Sequence, residues 1–194
     1  MARNHSDNGV AGAESSPPLW SPTDVLAVLE HAAVFLQASV SGLKNDRLDE
    51  APVVDEATVR DIVIHLAAWE DEFLREARHA ARRHGATFDY ALQPSAAVGG
   101  CMLAAIGTDA TGAWEREQRQ RRQDTPTGAI FLELERAQLQ MLAFARGLSA
   151  RTLANVADWP WGRRSTLAEL LVTAASHKRG HAEAIRGWRT RGAF

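Results

Sequence analysis

The sequence has 194 residues, of which 45% are hydrophobic and 24% are charged, an ordinary composition for one globular domain. Its formal net charge is -2, whereas a general nucleic-acid-binding protein is usually more basic, so we expect no nucleic-acid partner. The single cysteine, Cys101, excludes an internal disulfide and a cysteine-rich zinc finger, and it suits a cytoplasmic protein.

The N-terminal segment predicts neither a signal peptide nor a membrane anchor. Residues 1–20 are small, polar and proline-containing, which predicts a disordered tail without the apolar core of a secretory signal. No uninterrupted apolar run reaches about 18 residues, so we expect no transmembrane helix and no membrane partner. Residues 21–194 are then expected to form a single domain.

Two amphipathic helices are predicted in the first half of the chain. Ser21 is placed to cap the first helix, and Pro22 suits its first position. Thr58 is placed to cap the second helix, with Asp61 three residues later, and this helix is predicted to run to about residue 84. Its apolar stripe at helical spacing comprises Ile62, Leu66, Trp69, Phe73 and Ala77.

The second half predicts a short charged helix over residues 114–122 and two further long helices. One opens at Thr125-Pro126 and ends at Gly147, and the other is capped by Thr166 and runs to about Thr190. Residues 85–110 predict a long connection, residues 148–164 predict a loop, and no pattern is strong enough to place a strand. Together the four long helices predict an all-α four-helix bundle with long crossover connections.

Three of the seven histidines are placed where they can bind the same metal ion. His177 and His181 lie four residues apart on the last predicted helix, and therefore on one face of it. His65 lies on the inner side of the second long helix. Three such imidazoles can bind one metal ion and leave a position open to water or substrate, which is the catalytic arrangement. Hydrogen-bonded core histidines are the alternative interpretation of the same pattern.

Other side chains are candidates for the surroundings of these histidines. Asp61 lies one turn before His65 and can orient its ring, although capping the helix is an alternative role. Aromatic and imidazole side chains can line a substrate pocket, or they can pack in the core. The candidate pocket-lining residues are Trp69, Trp161, Trp188 and His31.

The segments TVRDIVIHLAAWE (58–70) and SHKRGHAEAIRGW (176–188) resemble the DinB/YfiT-like superfamily of four-helix bundles. Metal-bearing members hold a divalent ion on one histidine of the second long helix and on a His-x-x-x-His pair in the last helix. The resemblance therefore implies that His65, His177 and His181 are metal ligands, and it does not distinguish zinc, nickel and iron. It also implies a homodimer, because members of the superfamily frequently form one.

Two branches of that superfamily indicate what the chain does. One contains thiol-dependent transferases and isomerases that use mycothiol or bacillithiol with a metal, and the other is the colibactin-resistance type, which disarms an electrophilic natural product. The resemblance thus favours a divalent-metal-dependent enzyme that acts on an electrophilic small molecule by hydrolysis or small-thiol transfer, in detoxification, self-resistance or secondary metabolism. The alternatives are a non-catalytic small-molecule-binding or resistance module that uses the same cavity, and an interaction protein without a small ligand.

Overall fold

The computed structural model describes residues 20–50, 52–82, 109–159 and 164–191. Four long helices form the bundle, which confirms the predicted all-α four-helix-bundle class. The predicted disordered tail, apart from residue 20, and most of the predicted long connection lie outside the described residues. In chain order the elements are α1 (Pro22–Val40), α2 (Asn45–Glu50), α3 (Val59–Arg82), α4 (Asp109–Arg121), α5 (Thr127–Arg146), α6 (Ala150–Leu153), β1 (Val156–Asp158), β2 (Arg164–Thr166) and α7 (Leu167–Thr190).

Three of the long helices begin at the polar pairs that the sequence places there. In each pair a hydroxyl accepts a hydrogen bond from a backbone N–H of the first turn, and a carboxylate accepts one from the backbone N–H of the capping residue. These bonds satisfy N–H groups that have no partner within the helix. The pairs are Ser21 with Asp24, Thr58 with Asp61 and Thr166 with Glu169.

The four long helices pack in the circular order α1, α7, α3 and α5. The ring contacts His65–His181 and Phe73–His177 show that α3 and α7 run antiparallel, because the residue number rises along α3 as it falls along α7. Tightly packed apolar side chains fill the interior. Those exposed by 1% or less include Leu29, Phe73, Ile130, Leu171 and Ile185.

Among the described helices, α1 alone is long and apolar enough to cross a membrane by length and composition. A helix that packs in the core of a bundle meets the same test. Its apolar side chains contribute to such packing, because Val25, Leu29, Ala32 and Leu36 are buried against the rest of the bundle.

A short antiparallel hairpin of β1 and β2 precedes α7. The sequence predicts only a loop here, and that prediction was wrong because three-residue strands are too short to show an alternating pattern. The indole Nε1 of Trp159 donates a buried hydrogen bond of 2.8 Å to the Ser165 hydroxyl. The hairpin thereby fixes the approach of the chain to Thr166, the cap of α7.

The charged helix α4 is docked on α3. The Arg60 guanidinium donates hydrogen bonds of 2.7–3.0 Å to carbonyl oxygens of the turn between α4 and α5. Near the middle of α4, the ring of Trp114 packs edge-on against Trp69, with 4.9 Å between centroids. These contacts place one face of α4 over the middle of α3. The carbonyl oxygens bound by Arg60 belong to Arg122, Gln123 and Thr125.

Candidate metal centre

Three histidine side chains from two helices meet where α3 faces α7. The Nε2 atom of His177 lies 2.9 Å from that of His65 and 3.1 Å from that of His181. One ring nitrogen from each histidine lies within 4.8 Å of the other two. The side chain of His65 is 18% exposed, whereas the other two are buried, so the cluster is most accessible at His65.

Hydrogen bonds among the three rings cannot satisfy these nitrogens well. A ring nitrogen carries either one lone pair or one N–H, yet the Nε2 of His177 faces two other nitrogens. A single lone pair or proton serves one of these contacts well, and the other is then left unfavourable. The Nδ1 of His181 is also buried, without a hydrogen-bond partner in the described part of the chain.

The surroundings keep the three imidazoles neutral near pH 7. Burial, His181 and Arg119 lower the pKa of His65 from 6.5 to about 3, and burial lowers the pKa of His181 to about 4. Burial, His181, His65 and Lys178 hold the pKa of His177 well below its ordinary value. Neutral imidazole is the form that binds metal ions, so the lone pairs of all three rings are available.

This donor set fits a divalent transition metal. Metal–imidazole bonds are about 2.0–2.1 Å long, so two nitrogens on one ion lie about 2.8 Å apart at a right angle and about 3.4 Å apart at a tetrahedral angle. The two separations that involve His177, 2.9 Å to His65 and 3.1 Å to His181, fall within this interval. Three imidazoles suit zinc, nickel and iron, and His65, His177 and His181 are the residues that would hold the ion.

Glu115 on α4 faces His65 from the side away from the other two histidines. Its Oε1 atom lies 3.6 Å from the Nδ1 of His65 and accepts a hydrogen bond of 3.1 Å from the Nε1 of Trp69. Sequence reasoning missed Glu115, because a helix beyond a long connection supplies it. The only sequence signal was an acidic residue directly after Trp114 in an otherwise charged helix.

Asp61, which the sequence suggests as the residue that orients His65, is engaged at the start of α3. Its Oδ2 accepts hydrogen bonds from the backbone N–H and the hydroxyl of Thr58, and its Oδ1 lies 3.5 Å from Arg119. The carboxylate therefore caps the helix, and Glu115 occupies the position beside the His65 ring.

Of the predicted pocket-lining residues, Trp69 lies beside the histidines. Its ring centroid is 6.3 Å from that of His65 and 6.1 Å from that of His177. Trp188 is buried in the part of the core that contains Ile185. Trp161 lies outside the described residues.

His31, also predicted to line the pocket, is exposed on α1. A pocket-lining role would require it to lie on the inner side of this helix. The buried face of α1 is instead the one that carries Leu29, Ala32 and Leu36. His31 lies on the outward face. His31 therefore does not share the buried surroundings of the three-histidine cluster.

An ion pair that the sequence did not single out lies next to the cluster. The Nζ of Lys178, the residue after His177, lies 2.9 Å from the Oε1 of Glu70. The second carboxylate oxygen of Glu70 is buried without a hydrogen-bond partner among the described residues. The sequence signal was one charged residue on each of two helix faces that are otherwise apolar.

A separate recess of about 540 Å³ lies between the C-terminal half of α3, α5 and the hairpin. Trp159 lines part of it, and the three histidines do not line it. This recess is therefore distinct from the candidate metal centre. Its charged lining residues are Asp71, Arg75, Glu76, Arg78, Arg82 and Asp158.

The fold and the histidines define a class of protein: a four-helix bundle with a three-histidine candidate metal site between its second and last long helices. The sequence profile of the DinB superfamily matches residues 16–185. The chain belongs to the DinB superfamily, as the sequence resemblance predicts. No curated protein matches the chain.

Solved structures share this fold at low sequence identity. YfiT from Bacillus subtilis, described as a probable metal-dependent hydrolase with an unusual four-helix bundle topology, is 20% identical, with a TM-score of 0.62 over 92% of this chain and 90% of its own. The colibactin self-resistance protein ClbS, in complex with a dsDNA, is 12% identical, with a TM-score of 0.63 over 90% and 98%. An uncharacterised protein from Escherichia coli UTI89 is 13% identical, with a TM-score of 0.62 over 88% and 94%.

The expectation that nucleic acid is not a partner is contradicted by one of these structures. ClbS has the same fold and is in complex with dsDNA. The net charge of a whole chain does not exclude DNA binding, because contacts to phosphates depend on local basic side chains.

Proposed function

We propose that this chain is a divalent-metal-dependent enzyme in which His65, His177 and His181 hold the ion. The reaction is the attack of water or a small thiol on an electrophilic small molecule. The observation that carries the proposal is the convergence of three neutral imidazoles within 4.8 Å, in which the Nε2 of His177 faces a nitrogen of each of the other two rings. The description of YfiT as a probable metal-dependent hydrolase supports the same chemistry.

The roles of the protein side chains follow from their positions. Bound at this site, a divalent ion supplies Lewis acidity and an activated nucleophile. The rings of Trp69 and Phe73 pack near His177, and the centroid of each lies 6.1 Å from that of the imidazole. These two rings exclude water from the buried side of the histidine cluster. The partly exposed side of His65 is where substrate approaches.

Metal analysis of the untagged protein tests the proposal. We expect about one equivalent of zinc, nickel or iron in the wild type and none in His177→Ala. His31→Ala is the matched control, because it removes an exposed imidazole from α1, and it should retain the metal. Absence of metal from the wild type, even after incubation with each ion, would refute the metalloenzyme proposal.

The nucleophile is then identified by assays with and without a small thiol. An activated ester tests hydrolysis, and an electrophilic alkylating reagent with mycothiol or bacillithiol tests thiol transfer. Turnover that requires metal but no thiol assigns a hydrolase, and turnover that requires both assigns a transferase. Protection of a target from the electrophile by metal-free protein, without turnover, would instead support a binding or resistance module, in line with the self-resistance role of ClbS.

We also propose that residues 21–194 form one domain of a cytoplasmic homodimer. The continuous profile match over residues 16–185 supports one domain, and the single cysteine suits a reducing compartment. Light scattering of the untagged protein measures whether its mass corresponds to one chain or two.

A further inference from the structure

We propose that Glu115 is a positioning residue for the candidate metal centre. Its carboxylate holds His65 in the tautomer that carries its proton on Nδ1, so that the Nε2 lone pair faces His177. This inference rests on the proposed metal site and adds to it a residue that the histidine motif does not contain. A third helix, α4, thereby takes part in preparing the site.

The contacts of His65 support this assignment. Its two nitrogens face opposite partners: Nε2 lies 2.9 Å from His177, and Nδ1 lies 3.6 Å from the Oε1 of Glu115. An ionised carboxylate only accepts hydrogen bonds, so it favours a proton on the nitrogen that it faces. The separation is longer than a direct hydrogen bond and too short for a bridging water, so the carboxylate acts on this nitrogen through its charge at close range.

Glu115 is itself held in place from α3. Its Oε1 accepts a hydrogen bond of 3.1 Å from the Nε1 of Trp69, whose ring packs against Trp114 on α4. A half-buried glutamate on a helix surface ordinarily turns toward solvent or a basic side chain. Within the described part of the chain, the Glu115 carboxylate instead contacts the neutral ring of His65. The carboxylate is therefore oriented toward the histidine cluster by a bond that α3 supplies.

The arrangement matches a known way of tuning metal ligands. A metal-binding histidine commonly donates its second N–H to a carboxylate, which fixes the tautomer and raises the basicity of the ligating nitrogen. Loss of such a partner weakens metal binding about 10–100-fold. In this chain the carboxylate comes from α4, and Arg60 fastens the far end of that helix to α3.

Three variants test the role of Glu115. Glu115→Ala removes the acceptor for both His65 and Trp69, whereas Glu115→Gln keeps an acceptor oxygen and removes the charge. Glu117→Ala is the matched control, because Glu117 lies on the same helix, is 52% exposed and pairs with Arg121. Urea unfolding of each variant checks that the bundle is intact.

Two readouts separate positioning from general stability. Ring ¹⁵N NMR of the metal-free protein reports the tautomer of His65, and competition with a chromophoric chelator gives the Kd for zinc. We expect the Nδ1–H tautomer in the wild type and in Glu117→Ala, and its loss in Glu115→Ala. The Kd for zinc should rise about 10–100-fold in Glu115→Ala and less in Glu115→Gln.

The outcomes distinguish this inference from the proposed function. If the wild type binds zinc and Glu115→Ala retains both the tautomer and the affinity, the positioning role is overturned and the metal site stands. If the wild type binds no metal, the proposed function fails, and the NMR measurement alone decides the role of Glu115. An unchanged tautomer in Glu115→Ala would then overturn it, and a changed one would support it.

Discussion

Lys178 and Glu70 form an ion pair inside the bundle, with 2.9 Å between Nζ and Oε1 and side chains that are only 2% and 3% exposed. The pair joins α7 to α3 one residue beyond His177. Two charges buried together lose much of their hydration, so their net stabilisation is small, but either charge alone is strongly unfavourable. The pair therefore makes one alignment of the two helices, the one that brings the histidines together, much better than its alternatives.

Removal of the lysine charge alone should destabilise the fold strongly. We expect Lys178→Met to lower the free energy of unfolding by about 3–5 kcal/mol, because Glu70 remains buried without its partner. The double variant Lys178→Met/Glu70→Leu should recover most of this loss. Urea unfolding monitored by circular dichroism measures both.

Arg179 and Glu183 supply the control for this experiment. They form a neighbouring ion pair on the same helix, with side chains 56% and 55% exposed. Exposed pairs contribute about 0–1 kcal/mol, so Arg179→Met should change stability little. Equal losses in Lys178→Met and Arg179→Met would contradict the importance of the buried pair.

Metal-free protein should lose stability as the pH falls below neutrality. The pKa values of His65 and His181 are about 3 and about 4 in the folded chain, below the ordinary value of 6.5. At pH values between the pKa of the folded chain and that of the unfolded chain, the unfolded chain binds more protons than the folded chain, so the free energy of unfolding rises with pH. The contribution of these neutral rings to the free energy of unfolding is present above about pH 6.5 and is lost as the pH falls toward about 4.

The measurement compares urea midpoints at about pH 7.5 and about pH 5.5 in protein treated with a chelator. We expect a smaller loss between the two pH values in His65→Asn, because this variant removes one of the titrating rings. His31→Asn, which changes an exposed imidazole, should keep the full loss. The same pH dependence in wild type and His65→Asn would show that the His65 ring does not control it.

Zinc should stabilise the wild type and not His177→Ala. A metal that binds only the folded chain at about 100 times its Kd contributes about 2.7 kcal/mol, which corresponds to a rise in Tm of about 5–10 °C for a chain of this size. Differential scanning fluorimetry with zinc, and then with excess chelator, measures the rise and its reversal. A similar shift in His177→Ala would place the stabilising ion elsewhere.

Arg60 should control how firmly α4 is docked. The Nη2 group of this side chain donates its two hydrogens among three carbonyl oxygens in the turn after α4, and a charged hydrogen bond contributes about 1.5–3 kcal/mol. Arg60→Ala should therefore raise amide hydrogen exchange in α4 about tenfold or more, while α1 and α7 remain protected. Arg121→Ala, which removes an exposed pair with Glu117, should leave exchange in α4 near the wild-type rate.

The sequence by itself determined the four long helices and singled out the histidines that we propose as metal ligands. Helix starts depend on local chemistry, so the polar pairs at Ser21, Thr58 and Thr166 were sufficient to locate them. The spacing of His177 and His181 placed both rings on one face, because helix geometry is fixed. The apolar face around His65 on the second long helix added a third ring, and the family resemblance then implied that all three histidines bind a metal.

Only the tertiary structure decided which groups surround those histidines. Glu115 contacts His65, and Lys178 pairs with Glu70. Both contacts depend on how α4 and α7 pack against α3, and the spacing of residues along the sequence does not encode them. The same reason explains why His31 is exposed, because the rotation of α1 about its axis is set by its packing against the bundle. Periodicity shows that a helix has a buried face, but its precise rotation depends on complementary side chains in neighbouring helices.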